Sequence, residues 1–242
     1  MKQPEPRGLN RRRVQQLLSK IRAEPSCAQR VAILARSFIG CGYIQNPLIG
    51  SADIAEVFTV AFDRFDCVTY IETVLALAVA RDPDDFGDRL RRIRYARGRI
   101  QWQSRNHYMT QWISNNIRDG LVEPVSVPDE AMLTRERILN VVSGLAAERS
   151  RIRCFPKSAA PRLESSLHSG DLIFFVSTRK HLDVFHAGIL ARNGGTVLMC
   201  HASRSQGAVV EQKLDDFLKA NRMAGVIIAR PREAMRRTPT GA

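Results

Sequence analysis

Apolar positions follow two regimes along this chain: a helical period before Gly120 and short extended runs after it. In the first regime Val14, Leu17, Leu18 and Ile21 recur at helical spacing and predict a helix over residues 10–23. Pro25-Ser26 restarts the chain. Ser26 offers a cap to a second helix that turns Val31, Ala35, Phe38 and Ile39 inward and stops at Gly40. Residues 42–63, with Asn46-Pro47 and Gly50-Ser51, read as a structured loop with a helical turn near 52–58. Asp66 stands where an N-cap belongs, so Cys67 opens a third helix, whose apolar run over 74–80 marks it as buried. Asp82-Pro83-Asp84-Asp85 starts a fourth, with acids set against the positive end of the helix. Residues 104–116 give a fifth, with Tyr108, Trp112 and Ile113 inward and closure near Gly120.

The second regime predicts strands over 121–127, 172–176, 184–190, 196–201, 208–211 and 224–230, and a brief helix over 214–220. The pattern of 131–161 favours neither state. Helices followed by an antiparallel meander are the grammar of one α+β domain. Its expected extent is 26–235, after a basic segment and helix over 1–25 and before a tail, 236–242, expected to fray.

At 242 residues, 44% hydrophobic and 25% charged, the chain can bury a real core, so disorder is not the default. No apolar stretch approaches the roughly 20 residues that cross a bilayer. Arg11-Arg12-Arg13 follows the amino terminus with no apolar segment typical of a secretory signal. The expected place of work is therefore the cytoplasm, or a site reached by a route that needs no such signal. Five scattered cysteines without a Cys-x-x-Cys pair do not make a disulfide framework. The net charge of +13 invites a nucleic-acid reading. Yet Leu90, Ile93 and Arg94 fall at helical spacing within the middle arginine cluster, so a solvated amphipathic face explains most of it. No zinc-finger, KH or RRM signature accompanies the charge, and nucleic acid is the disfavoured partner. Long-range steering of an anionic substrate is a third use for it.

The candidate chemistry lies in one cysteine and two histidines. A thiol in the first turn of a helix meets unpaired N–H groups and a partial positive charge, which favour its thiolate. An imidazole can then carry its proton. His186 sits on the predicted strand 184–190, sharing a face with Gly188 and Leu190. His201 ends the next strand, and a hairpin through Arg192-Asn193-Gly194-Gly195 would bring the two rings together, one as base and the other orienting it. Cys200 must then point away from His201, which with the lack of paired ligand spacing argues against zinc. The bland alternatives are a core cysteine at 67 and a half-buried strand histidine at 186. Glu72 reads as a structural hydrogen-bond partner, and Asp183 as a loop charge.

Gly170-Asp171-Leu172-Ile173-Phe174-Phe175, His186-Ala187-Gly188-Ile189 and His201-Ala202-Ser203, taken with Phe65-Asp66-Cys67, resemble the motifs of the NlpC-type papain-fold superfamily of cell-wall amidases and endopeptidases. Thr69-Tyr70-Ile71-Glu72 after the cysteine is similar to the branch known as N-acetylmuramoyl-L-alanine amidase-like. So are Phe38-Ile39-Gly40 with Tyr43, Asn46-Pro47-Leu48-Ile49-Gly50, and Arg105-Asn106-His107-Tyr108 with Trp112-Ile113. The resemblance spans about 38–231 and departs from the superfamily at Cys67-Val68-Thr69, where Cys-Ser-Gly is usual. It implies a papain-like α+β fold, with the nucleophile at a helix N-terminus packed on an antiparallel sheet. It implies Cys67 as nucleophile, His186 as base and His201 as orienting residue. Tyr43 and Asn46 would serve the oxyanion or the substrate; Arg105 and His107 offer a grip on a substrate carboxylate or sugar, with capping and surface roles as equal alternatives. It implies a thioester route on a muropeptide or peptide amide, with no metal and no cofactor. An acyl transferase using the same residues, a wall-directed effector, and a basic nucleic-acid binder with an inert cysteine are the alternatives.

Overall fold

Each early helix is set by the residue before it. Asn10 accepts from the Arg13 N–H and starts α1 (Arg11–Lys20), and Ser26 accepts from the Gln29 N–H and starts α2 (Cys27–Arg36). The chain then forms two short strands, β1 (Gly42–Tyr43) and β2 (Arg64–Phe65), paired in parallel. Three helices follow: α3 (Cys67–Val79), α4 (Pro83–Arg94) and α5 (Met109–Arg118). The remainder is β3 (Val122–Pro124), β4 (Leu133–Leu139), β5 (Glu148–Pro156), α6 (Ala160–Leu163), β6 (Leu172–Val176), β7 (Val184–Asn193), β8 (Thr196–Ser203), β9 (Ala208–Lys213), α7 (Leu214–Ala220) and β10 (Gly225–Pro231). This computed structural model describes residues 4–127 and 130–233; the tail 236–242 lies outside them.

The strands form one sheet in the order β2-β1-β9-β8-β7-β6-β10-β5-β4, with β3 also on β10. Apart from β1–β2, every pairing is antiparallel. Both faces of the central strands are covered, which is why β6 reads as an unbroken apolar run. Leu172 and Phe174 join the core under α1 to α5, while Ile173 and Phe175 join the one beneath α6 and α7. Val14, Leu17, Leu18 and Ile21 of α1 belong to the same core as α3, so the amino-terminal helix packs as part of this body. The overall class is mixed α+β.

Several expectations change. No helical turn forms over 52–58; Ile49 and Val57 bridge instead, closing the loop on itself. The fifth helix begins only at Met109, because Asn106 is buried and donates to the Ile93 carbonyl, holding 105–108 extended. Ile39 is 47% exposed, since α2 ends at Arg36 and the chain turns before reaching it. The undecided segment 131–161 holds the β4–β5 hairpin. Arg94 is 1% exposed rather than solvated, and donates to Glu72.

Candidate active site

Asp66 and Thr69 form a reciprocal cap: the Asp66 carboxylate accepts from the Thr69 backbone at 2.7 Å, and the Thr69 hydroxyl accepts from the Asp66 backbone at 3.1 Å. This fixes Cys67 as the first residue of α3, with that end pointing at the sheet. Leu190 exchanges backbone hydrogen bonds with Gly170 and Asp171 on the β6 side, so alternation turns the Ala187 N–H toward β8. The β7–β8 register stops at Ile189 opposite Cys200, before it reaches Ala187. The Ala187 N–H, left free of the ladder, favours the thiolate of Cys67, as do the N–H groups of Cys67 and Val68.

Burial dominates the thiol and pushes it up to about 12, with the Asp66 charge adding to the rise and the three N–H donors opposing it. The His186 and His201 rings project from β7 and β8 toward Phe217 of α7. His186 stacks on Phe217 at 5.3 Å and on Phe175 at 6.1 Å. Nε2 of His186 lies 2.7 Å from Nδ1 of His201. Burial pushes His186 down to about 3, with the neighbouring His201 adding to the fall. It also lowers His201, against the opposing influence of the Gln212 side chain. Both rings are therefore neutral near pH 7, and Nδ1 is the nitrogen of His186 that His201 leaves free. Among the described residues no hydrogen bond joins the sulfur to either ring; the N–H that acts on it from β7 belongs to the residue after His186.

Tyr43 reaches the same place through β1, where its N–H donates to Gly207 at 2.7 Å. Its phenol is pushed up by burial first, then by Cys67 and Asp66, with Arg204 opposing. Asn46 is exposed in the loop beyond, in the left-handed region at φ 52°. Arg105 and His107 make their contacts elsewhere. Arg105 donates to Glu56 at 3.2 Å and to the Gly50 carbonyl at 3.4 Å, and its guanidinium lies 4.4 Å over Trp102. His107 contacts the Trp102 carbonyl at 2.8 Å and sits edge-on to its ring. These two brace the loop that follows Tyr43.

Two residues near the site went unread in the sequence, Gln212 and Arg204, and two others, Asp183 and Arg94, were read differently. Asp183 is buried and accepts from the Thr110 N–H at 2.7 Å, its hydroxyl at 2.9 Å and the Val184 N–H at 2.7 Å. It caps α5 from the start of β7, three residues before His186, and is no loop charge. Arg94 lies 2.7 Å from Glu72 of α3 and donates to the Thr59 carbonyl at 2.6 Å. Its spacing with Leu90 and Ile93 was the available signal. Cys200 points into the helical core, away from His201, as alternation requires.

Residues 33–226 match the AmiA-like family, described as N-acetylmuramoyl-L-alanine amidase-like. The chain belongs to this family. Its fold is shared with solved structures: LPG0564 of Legionella pneumophila, at 20% identity and a TM-score of 0.80, covers 93% of this chain and 96% of its own. An N-acetylmuramoyl-L-alanine amidase of Bacteroides uniformis follows at 24% identity and 0.74, covering 86% and 99%. A Bacteroides fragilis protein with a provisional xylanase name follows at 27% and 0.68, covering 81% and 98%. At 20 and 24% identity the first two likenesses are likenesses of fold. No curated protein matches the chain in sequence. Membership of the amidase-like family points to a hydrolase of amide bonds.

Proposed function

We propose that this AmiA-like chain hydrolyses an amide through a thioester on Cys67, using the papain-like arrangement of NlpC-type enzymes. The observation that supports it most is the junction of α3 with β7. There the N–H next to His186 favours the Cys67 thiolate, and His186 is itself held by His201.

The thiol attacks the substrate carbonyl while Nδ1 of His186 takes its proton. Burial makes either charge alone costly, so proton transfer and carbon–sulfur bond formation proceed together. The oxyanion is held by the Cys67 backbone N–H and the Tyr43 hydroxyl. His186 returns the proton to the leaving amine, the carbon–nitrogen bond breaks, and the thioester remains. Water, deprotonated by the same nitrogen, then releases the acid and restores the thiol. His201 keeps the base ring in orientation throughout.

The substrate class is the lactyl–alanine or peptide amide of a muropeptide, on the strength of the family. Muropeptide fragments should be cleaved by the wild type, whereas Cys67→Ala and His186→Ala should each lose turnover by at least about 10³-fold. Both variants should retain the wild-type melting temperature within a few degrees. Full activity in Cys67→Ala would sink the proposal. Adding an amine acceptor separates hydrolysis from acyl transfer by its product.

A further inference from the structure

The two imidazoles share one proton, and where it rides decides whether His186 can act. With the proton on Nε2 of His186, the ring donates to Nδ1 of His201 and leaves its own Nδ1 bare and basic. His201 must then carry its proton on Nε2. With the shared proton on Nδ1 of His201 instead, His186 carries its other proton on Nδ1 and has no lone pair for a thiol. Both rings are neutral, so one of these tautomer pairs must hold. The first needs an acceptor at Nε2 of His201; the second needs a donor there.

That atom is buried and has no hydrogen-bond partner among the described residues. A buried polar nitrogen in that state calls for an explanation. In the β8–β9 ladder His201 lies opposite Val210, and Met199 opposite Gln212. Gln212 therefore projects from the same face as His201, one diagonal step away. It is the side chain that favours a proton on that ring. Its Oε1 accepts from Nε2 of Gln206 at 3.5 Å, which orients the amide. An amide oxygen has two lone pairs, so Oε1 can still accept from His201.

We propose that Gln212 is a positioning residue: it accepts from Nε2–H of His201, fixes that tautomer, and so leaves Nδ1 of His186 free as the base. The consequence for rate rests on the Cys67–His186 chemistry proposed above; the tautomer does not.

Long-range proton–nitrogen spectra of the ¹⁵N-histidine-labelled full chain at pH 7 read the tautomers directly. Wild type should show Nε2–H on both His186 and His201. Nδ1–H on His201 in wild type would overturn the proposal without any variant. Gln212→Glu, an acceptor only, should keep the wild-type tautomers and most of kcat. Gln212→Leu should lower kcat about 10-fold at unchanged KM, and the donor Gln212→Lys should invert the tautomers and lower kcat more than about 100-fold. Wild-type tautomers and wild-type kcat in Gln212→Leu would also overturn it. If Cys67→Ala proves fully active while Gln212→Lys still inverts the rings, the catalytic reading fails and the assignment of Gln212 stands.

Discussion

The backbone N–H of Ala187, the residue directly after His186, acts on the Cys67 sulfur and favours its thiolate. β7 and β8 stop pairing before Ala187, which leaves this donor free of the ladder. Three N–H groups favour the thiolate, yet burial outweighs them and holds the thiol up to about 12. The free enzyme should therefore rest as neutral thiol and neutral imidazole. Alkylation of Cys67 by iodoacetamide, followed by mass spectrometry, should accelerate with pH without levelling off below about pH 9. A plateau near neutrality would mean that a thiolate–imidazolium pair is already formed, contrary to this expectation.

His186 gives a stability signature of its own. Its folded-state pKa is depressed to about 3, so between there and about 6.5 the unfolded chain binds a proton that the folded one refuses. Stability from this group is whole above pH 6.5 and is lost as pH falls toward 3. The slope is up to one proton, about 1.4 kcal/mol per pH unit. Buried acids such as Asp66 and Asp183, whose pKa values are raised by burial, act in the opposite sense, so the comparison must be with a variant. Urea titrations of wild type and His186→Gln from pH 7 to 4 should give a shallower decline in the variant. Parallel declines would show that the ring titrates normally.

On the helix that Cys67 opens, Glu72 is almost fully buried and lies 2.7 Å from the equally buried Arg94. Burial pushes the Glu72 carboxyl up while the Arg94 charge opposes it. Arg94→Leu leaves that carboxylate alone among apolar neighbours and strips the Thr59 carbonyl of its donor, at a cost of about 3–5 kcal/mol. Replacing both residues by leucine should recover part of this, because no lone charge remains. Chemical denaturation of the single and double variants checks the order. A double variant less stable than Arg94→Leu would count against the pair as an isolated buried charge couple.

What the sequence made legible depended on whether the cause was local. Asp66 and Thr69 lie within one turn of Cys67, so the cap and the start of α3 could be read from adjacent residues. Period-two alternation put Cys200 on the other face from His201, and the Gly194-Gly195 turn within Arg192-Asn193-Gly194-Gly195 gave the β7–β8 hairpin, for the same reason. Arg94 and Asp183 were misread because their partners are distant along the chain. The partner of Arg94 is 22 residues away, and Asp183 caps a helix 73 residues back. A charge looks solvated until the fold supplies its counterpart. Arg105 and His107 sit beside Trp102 and Glu56 for reasons of loop closure, which a shared motif does not distinguish from substrate binding.

Tyr43 tests the oxyanion arrangement with one atom. Its backbone N–H bond to Gly207 holds β1 against the β8–β9 turn whatever the side chain. Tyr43→Phe therefore removes the hydroxyl and little else, and stability should change by no more than about 0.5 kcal/mol. The phenol's pKa is raised, so at pH 7 the group is a neutral O–H able to donate. If it donates to the oxyanion, kcat should fall about 10²-fold with KM nearly constant, because the charge develops only in the transition state. Arg204 also faces this phenol, and a favourable charge there could mimic the effect at longer range. Arg204→Ala separates the two: it should shift rates with ionic strength, as an exposed charge does, whereas the loss in Tyr43→Phe should be indifferent to salt. An unchanged kcat in Tyr43→Phe would leave the backbone N–H of Cys67 as the oxyanion donor without it.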